Sequence, residues 1–208
     1  MKRFDPTIFF SLAMLFSGAS LLAAIFFHLS LGWALLCLGI GALSSITIIW
    51  KNTTEEKKKV IKRRVIIGLI AGFLATLAYD GIRLLLVHLG HLEYSPFEAF
   101  KVFGKLIIGT NMPMDITRTV GTIYHVLNGI TFGVAYCILF GGRKWWYGIG
   151  WALILESMML AVYPGWLDLK AVMKEFVALS LIGHIVYGSV LGVISQKFLK
   201  DNAKVKTQ

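Results

Sequence analysis

The chain has 208 residues, 57% of them hydrophobic and only 15% charged, where a soluble domain carries about a quarter charged. With a mean hydropathy of +0.73, this composition excludes an ordinary soluble fold and leaves almost nothing for a second domain. The net charge of +10 invites a nucleic-acid reading, but the basic residues sit at the ends of apolar runs, which excludes it.

A bilayer core about 30 Å thick takes roughly 20 helical residues to cross. Six stretches meet that length, near residues 7–27, 30–50, 64–89, 119–141, 145–163 and 177–198. The expected fold is therefore all-α: one polytopic bundle of six transmembrane helices over residues 1–208.

Lys2 and Arg3 precede the first run, which is longer than a signal-peptide core and is read as a retained helix. It pairs with the second run as an N-terminal hairpin over 1–50, turning at His28-Leu29-Ser30. Ser17, Gly18, Ala19, Ser20, Gly39, Gly41 and Ala42 would let these helices approach closely, as a scaffold or an oligomer contact. Residues 51–64 read as a basic loop. Together Lys2, Arg3, the basic residues of 51–64, Arg143, Lys144 and the lysines from Lys197 onward put 15 of the 21 basic residues on one side. Positive residues stay cytoplasmic, so both termini, the 51–64 loop and the 199–208 tail are expected inside. Attraction to anionic headgroups is a second use for the loop.

The 64–198 core reads as two copies of one plan. A rising span carries Asp80, an amphipathic outer segment follows, and a descending span carries His125; then Glu156, a second outer segment and His184 repeat the order. Both histidines are followed by glycine at i+4 and i+8, at Gly129 and Gly133 and at Gly188 and Gly192. The pattern suggests a parallel repeat of spans 3–4 and 5–6. Contact along those glycines would bring the two histidine helices together.

In the first outer segment, Ser95-Pro96-Phe97-Glu98 has the form of a capping box with proline at the first helical position. Behind it Phe97, Phe100, Phe103 and Ile107 oppose Glu98, Lys101 and Lys105, which suits a helix lying at the interface. Asp168 could cap a similar segment with Leu169, Val172, Met173 and Phe176 on its apolar side. Both are read as connectors resting on lipid, with a lid over the site as the alternative.

Four ionisable groups fall inside apolar spans, where each is costly and is kept for a partner or a function. His125 and His184 lie roughly 10 Å beneath the outer boundary, Glu156 about 12 Å and Asp80 about 15 Å, at 1.5 Å per residue. Asn128 and Tyr187 share their histidines' helix faces, and Arg83 can neutralise Asp80. The residues expected to form a site are thus His125, His184, Glu156, Asp80, Asn128, Tyr187 and Arg83.

Three chemistries fit this set. The first is binding or transport of a small polar solute or ion through an outward-facing site, with histidine as the group that changes charge near neutral pH. The second is a metal centre on His125, His184 and Glu156, and the third is haem b between the two histidines. Either of the latter would make a membrane enzyme; a non-catalytic subunit of a larger membrane complex or a homo-oligomer is the remaining class. Against these stands purely structural pairing, above all for Asp80 with Arg83. HExxH, GxSxG, the P-loop, the dinucleotide fingerprint and CxxC are all absent. Cys37 and Cys137 read as small buried hydrophobes, and Met158, Met159 and Met173 as packing rather than a soft-metal set. Trp33, Trp50, Trp145, Trp146, Tyr147, Tyr163 and Trp166 read as an interfacial belt.

Over about 80 residues, His125, the Phe132-Gly133-Val134-Ala135-Tyr136-Cys137 run, Pro164, Glu175 and Gly183-His184 resemble the YagU-type family of bacterial inner-membrane proteins. That resemblance implies a multi-pass protein of the bacterial plasma membrane and supplies no reaction.

Overall fold

The computed structural model describes residues 5–92, 95, 97–166 and 173–200. Among them the chain is all-α, in the order α1 Pro6–Met14, α2 Phe16–Phe27, α3 Leu31–Lys51, α4 Glu55–Gly90, α5 Glu98–Ile108, α6 Met114–Phe140, α7 Trp146–Trp166 and α8 Met173–Leu199. Four helices, α3, α4, α6 and α8, are long and apolar enough to cross a membrane, and α1 with α2 makes a fifth if that pair counts as one span. The described apolar stretch of α7, Trp146–Val162, is shorter than the other four. Among the described residues, four or five of the six expected spans are thus met.

The first expected span is broken. α1 and α2 meet at 53° around Leu15, whose backbone leaves the helical region. Polar contacts on both sides of the break hold it against α6: the Ser11 hydroxyl donates to Ala135 O, and Ser17 Oγ lies 2.7 Å from Thr131 Oγ1. The small residues of the hairpin thus serve α6 more than each other. Gly18 faces the Phe132 ring, while Gly41 meets nothing. The turn at His28 is as expected, with His28 in the left-handed region at φ 53°.

The 51–64 segment is not a loop. Only Asn52, Thr53 and Thr54 separate α3 from α4, which runs unbroken for 36 residues. Glu55 and Glu56 occupy its first turn, where the helix dipole favours negative charge, and Lys58 pairs with Glu55 one turn on. No proline interrupts the run into the apolar part. Arg63 donates to Phe198 O and Arg64 to Ile138 O, satisfying carbonyls in the last turns of α8 and α6. The start of α4 and the ends of α6 and α8 therefore gather at one basic end of the bundle.

α4 is the central helix, packed on α6 along one face and on α8 along another, while α7 packs on α8. Its small residues make this geometry available. A Cβ on Gly68 would lie 2.6 Å from Val134 Cα, and one on Gly72 would lie 2.8 Å from Gly129 O. Ala71 and Ala75, wholly buried, face the core shared with Tyr187 and Leu191. Gly129 and Gly133 of α6 therefore meet α4, whereas Gly188 and Gly192 of α8 meet Gly148 of α7 and Trp145 just before it. They do not join α6 to α8, as glycine spacing alone suggested, because α4 stands between them.

α5 also departs from expectation. Phe97 precedes the helix without a side-chain cap, so no capping box forms, and the helix starts at Glu98. Phe100 and Phe103 are buried in a cluster with Leu21, Ala24, Leu31 and Tyr124 rather than facing lipid. Gly121 of α6 lets the Phe100 backbone approach, and Gly104 of α5 does the same for Thr117. Glu98 and Lys105 stay on the exposed side. Of the second outer segment, Asp168, Leu169, Lys170 and Val172 lie outside the described residues, and Met173 and Phe176 belong to α8.

Large apolar side chains cover the outside, among them Trp33, Leu36, Ile40, Ile70, Phe73, Leu77 and Leu84. So broad an exposed apolar surface marks contact with lipid. Trp33, Trp145 and Trp146 are exposed near helix ends; the Tyr163 and Trp166 side chains lie outside the description. Cys137 is buried, but Cys37 is exposed on α3.

The α4–α6 approach gives a direct test. Gly72→Leu is expected to destabilise the bundle by about 1–3 kcal/mol through overpacking, whereas Gly41→Leu should stay within about 0.5 kcal/mol of the parent. Thermal unfolding of the purified variants in detergent distinguishes the two.

Candidate functional site

The four ionisable groups form two pairs, each joining neighbouring helices. His125 Nε2 of α6 lies 3.1 and 3.0 Å from the two carboxylate oxygens of Asp80 on α4. Arg83, one turn along α4, approaches the same carboxylate at 3.8 Å. His184 Nδ1 of α8 lies 2.7 Å from Glu156 Oε2 of α7 and 2.9 Å from Ser180 O. Because a backbone carbonyl only accepts, the His184 Nδ1 carries a proton, which leaves Nε2 as the nitrogen available to a ligand. The Ser180 hydroxyl donates to the same Glu156 oxygen at 2.9 Å, while Glu156 Oε1 is buried without a partner.

Tyr79 connects the pairs. Its ring centroid lies 5.9 Å from that of His125 and 5.0 Å from that of His184. The Arg83 guanidinium sits over the Tyr79 ring, 4.6 Å from its centre, a cation–π distance. Ser180 reaches Glu156 through its hydroxyl and His184 through its carbonyl, so one residue of α8 joins both members of that pair. Phe100 of α5 packs on the His125 ring at 4.7 Å. Thus α5, expected as a connector on lipid, covers the cluster.

The pairs open on a cavity of about 120 Å³. A single water needs only about 10–15 Å³ on the same measure, so the space takes several waters or a small solute. Arg83, His125, Asn128, His184 and Tyr187 supply its polar lining, and Phe100, Phe103, Phe132 and Phe176 much of its apolar wall. The Asp80 and Glu156 carboxylates stand behind the imidazoles rather than in the lining. Tyr187 donates to Gly129 O at 2.7 Å and so ties α8 to α6 across the cavity. All seven residues expected from the sequence therefore lie in or directly behind one site.

The expected metal set and the bis-histidine haem are not supported by this geometry. Among the described residues no three His, Cys, Asp or Glu side chains form a metal-holding group. His125, His184 and Glu156 do not converge, because His125 turns to Asp80 and the Tyr79 ring touches both imidazoles. Sequence reasoning missed Tyr79, Ser180 and Phe100. Tyr79 and Arg83 share a helix face at i, i+4, as do Ser180 and His184, and that spacing was the available signal.

The two pairs differ in what remains when a histidine is removed. Glu156 has a side chain 2% exposed, whereas Asp80 is 20% exposed and keeps Arg83. Leaving a buried charge without its partner costs about 3–5 kcal/mol. His184→Ala is expected to approach that loss, and His125→Ala to cost clearly less, in chemical denaturation followed by tryptophan fluorescence.

Comparison with known proteins bears on the same part of the chain. No curated protein and no solved structure matches it. One family model does, over residues 62–205, from the basic end of α4 past the end of α8. This stretch holds all seven residues of the cluster; the YagU-type resemblance is not part of that match. The chain therefore belongs to DUF6789, a family of unknown function.

Proposed function

We propose that this protein is a multi-pass membrane protein that binds and transports a small polar solute or ion, with His125 and His184 as the proton-exchanging groups. The observation that supports it is the pair of carboxylate-backed imidazoles facing one cavity within apolar helices. Each imidazole is held by a carboxylate at one nitrogen and borders the cavity, so a ligand there meets the rings rather than the carboxylates. The lining carries Arg83 and two histidines but neither carboxylate, which favours neutral or anionic solutes over cations. Asn128 and Tyr187 orient the ligand, and Arg83 holds Asp80.

In this reading the basic end and both termini face the cytoplasm, as the positive-inside pattern suggests, and the membrane is a bacterial inner membrane, as the YagU-type resemblance implies. A parallel repeat also belongs to this reading. Each carboxylate pairs with the histidine of its own half, and each histidine helix sets its glycines against the rising helix of that half.

Proteoliposomes holding a pH-sensitive dye test the proposal. Phosphate, lactate or erythritol added outside should drive proton entry through at least one coupled uptake. The His125→Gln/His184→Gln variant, which keeps a hydrogen-bond donor for each carboxylate, should fall to the protein-free level. Unchanged flux in that variant, or no coupled flux with any of the three, would overturn the transport reading.

A further inference from the structure

A second cavity, of about 260 Å³, adjoins the first, and Asn128, Phe132, Leu155, Met159 and His184 border both. His184 therefore stands at the junction, with Arg83 and His125 on one side of it. On the other side the walls are apolar, from Leu15, Ala19 and Leu22 around α2 to Met158 of α7. Among the described residues, Asn128 and His184 are the only polar side chains of that second lining. Ala19 and Met158 are exposed on the outer surface, so the space lies at the flank of the bundle. A molecule that matches both spaces is polar at one end and apolar at the other.

The polar end has two ring nitrogens to meet. His184 Nδ1 is turned to Glu156 and the Ser180 carbonyl, and Asp80, beside Arg83, accepts from His125 Nε2. That leaves His184 Nε2 and His125 Nδ1. Neither has a partner among the described residues, and neither is closed off by packing. With the proton held on the carboxylate side, each is a lone-pair acceptor in the neutral ring. A carboxyl group suits such a nitrogen in both of its own states. As the acid, its O–H donates to the ring; as the carboxylate, it accepts from the protonated ring, and the proton has only moved along one hydrogen bond. An alcohol has the first state alone, and a quaternary ammonium has neither. Arg83 is the one permanently charged side chain of the first lining among the described residues, which suits a monoanion better than a dianion.

We infer that the solute of this site is a small monocarboxylic acid with an apolar body, its carboxyl group on His184 Nε2 at the junction and its body in the second cavity. The inference rests on the transport reading above and names the class of solute which that reading leaves open. A phenyl ring or a few methylene groups lie against Leu22, Leu155 and Met158 and leave water on binding, a gain that acetate lacks. A body carrying hydroxyls or a second charge is disfavoured, because the apolar walls return none of the hydrogen bonds it gives up to water.

The test is equilibrium binding of tritiated benzoate to the full chain in nanodiscs, with empty nanodiscs as the blank. Binding should saturate. Unlabelled benzoate should displace the label about tenfold better than acetate, which lacks the body, or benzyl alcohol, which lacks the carboxyl group. Ala19→Trp, which fills the second cavity, should bring benzoate down to the level of acetate. His184→Gln keeps a donor for Glu156 but has no ring nitrogen to exchange a proton, and should remove the preference over benzyl alcohol. The three competitors on the parent chain decide the matter should either variant fail to fold. Displacement by acetate or benzyl alcohol at the same concentration as benzoate, or no saturable binding, would overturn the inference. His-dependent flux of phosphate or erythritol without saturable benzoate binding defeats the monocarboxylate alone. Benzoate binding with the expected preferences, but no coupled flux of any solute, defeats the transport reading alone.

Discussion

A carboxylate among apolar helices is tolerable only beside a group that can neutralise it, and here each of the two carboxylates reaches that partner on a different helix. Asp80 fastens α4 to α6, and Glu156 fastens α7 to α8. Neither contact forms unless the backbones come close, which is the role of Gly68 and Gly72 against α6 and of Gly148, Gly188 and Gly192 between α7 and α8. Small residues thus set the distances, and the charged pairs set the depth at which the helices are held together. Tyr79 and Tyr187 then cross-link the two halves through side chains that are apolar along their length and polar at the tip.

The part of the molecule outside the family match adds something different. Residues before position 62 supply no member of the ionisable cluster. They supply Ser17, whose carbonyl fixes the Tyr124 hydroxyl, and they form one wall of the side cavity. The ionisable chemistry therefore sits within the matched stretch, while the second cavity of about 260 Å³, adjoining the first, depends on the N-terminal helices. α5 divides its contacts between the two, with Phe100 on His125 and Phe103 in a cluster that includes Leu21, Ala24 and Leu31.

The shared height of the four charged groups along the bundle was legible in the sequence, because the ends of apolar runs fix how far along its helix each group falls. Arg83 beside Asp80 was legible for the same reason as any i, i+3 pair. Which helices touch was not. Glycine spacing in α6 and α8 shows that each admits a neighbour but not which one, and α4 took the place on α6 that α8 was expected to fill. The break at Leu15 was hidden because it arises from hydrogen bonds to Ala135 and Thr131, more than a hundred residues away. The burial of Phe100 was hidden because an amphipathic helix suits a protein surface as well as a lipid one. The basic 55–64 segment was misread as a loop because charge was taken as a sign of irregular chain, although its residues are good helix formers.

The unbroken α4 gives the molecule a stiff shaft of about 54 Å. One end carries Lys57, Lys58, Lys59 and Lys62, and the same shaft holds Tyr79, Asp80 and Arg83 some five to seven turns further on. With no proline and no joint between them, any tilt imposed on the lysine-rich end by a layer of anionic headgroups is carried into the cavity as a lever movement. The His125 and His184 rings belong to other helices, so such a tilt changes how far each stands from its neighbours on α4. Whatever moves the lysine-rich end of α4 thereby shifts Tyr79, Asp80 and Arg83 against the two imidazoles.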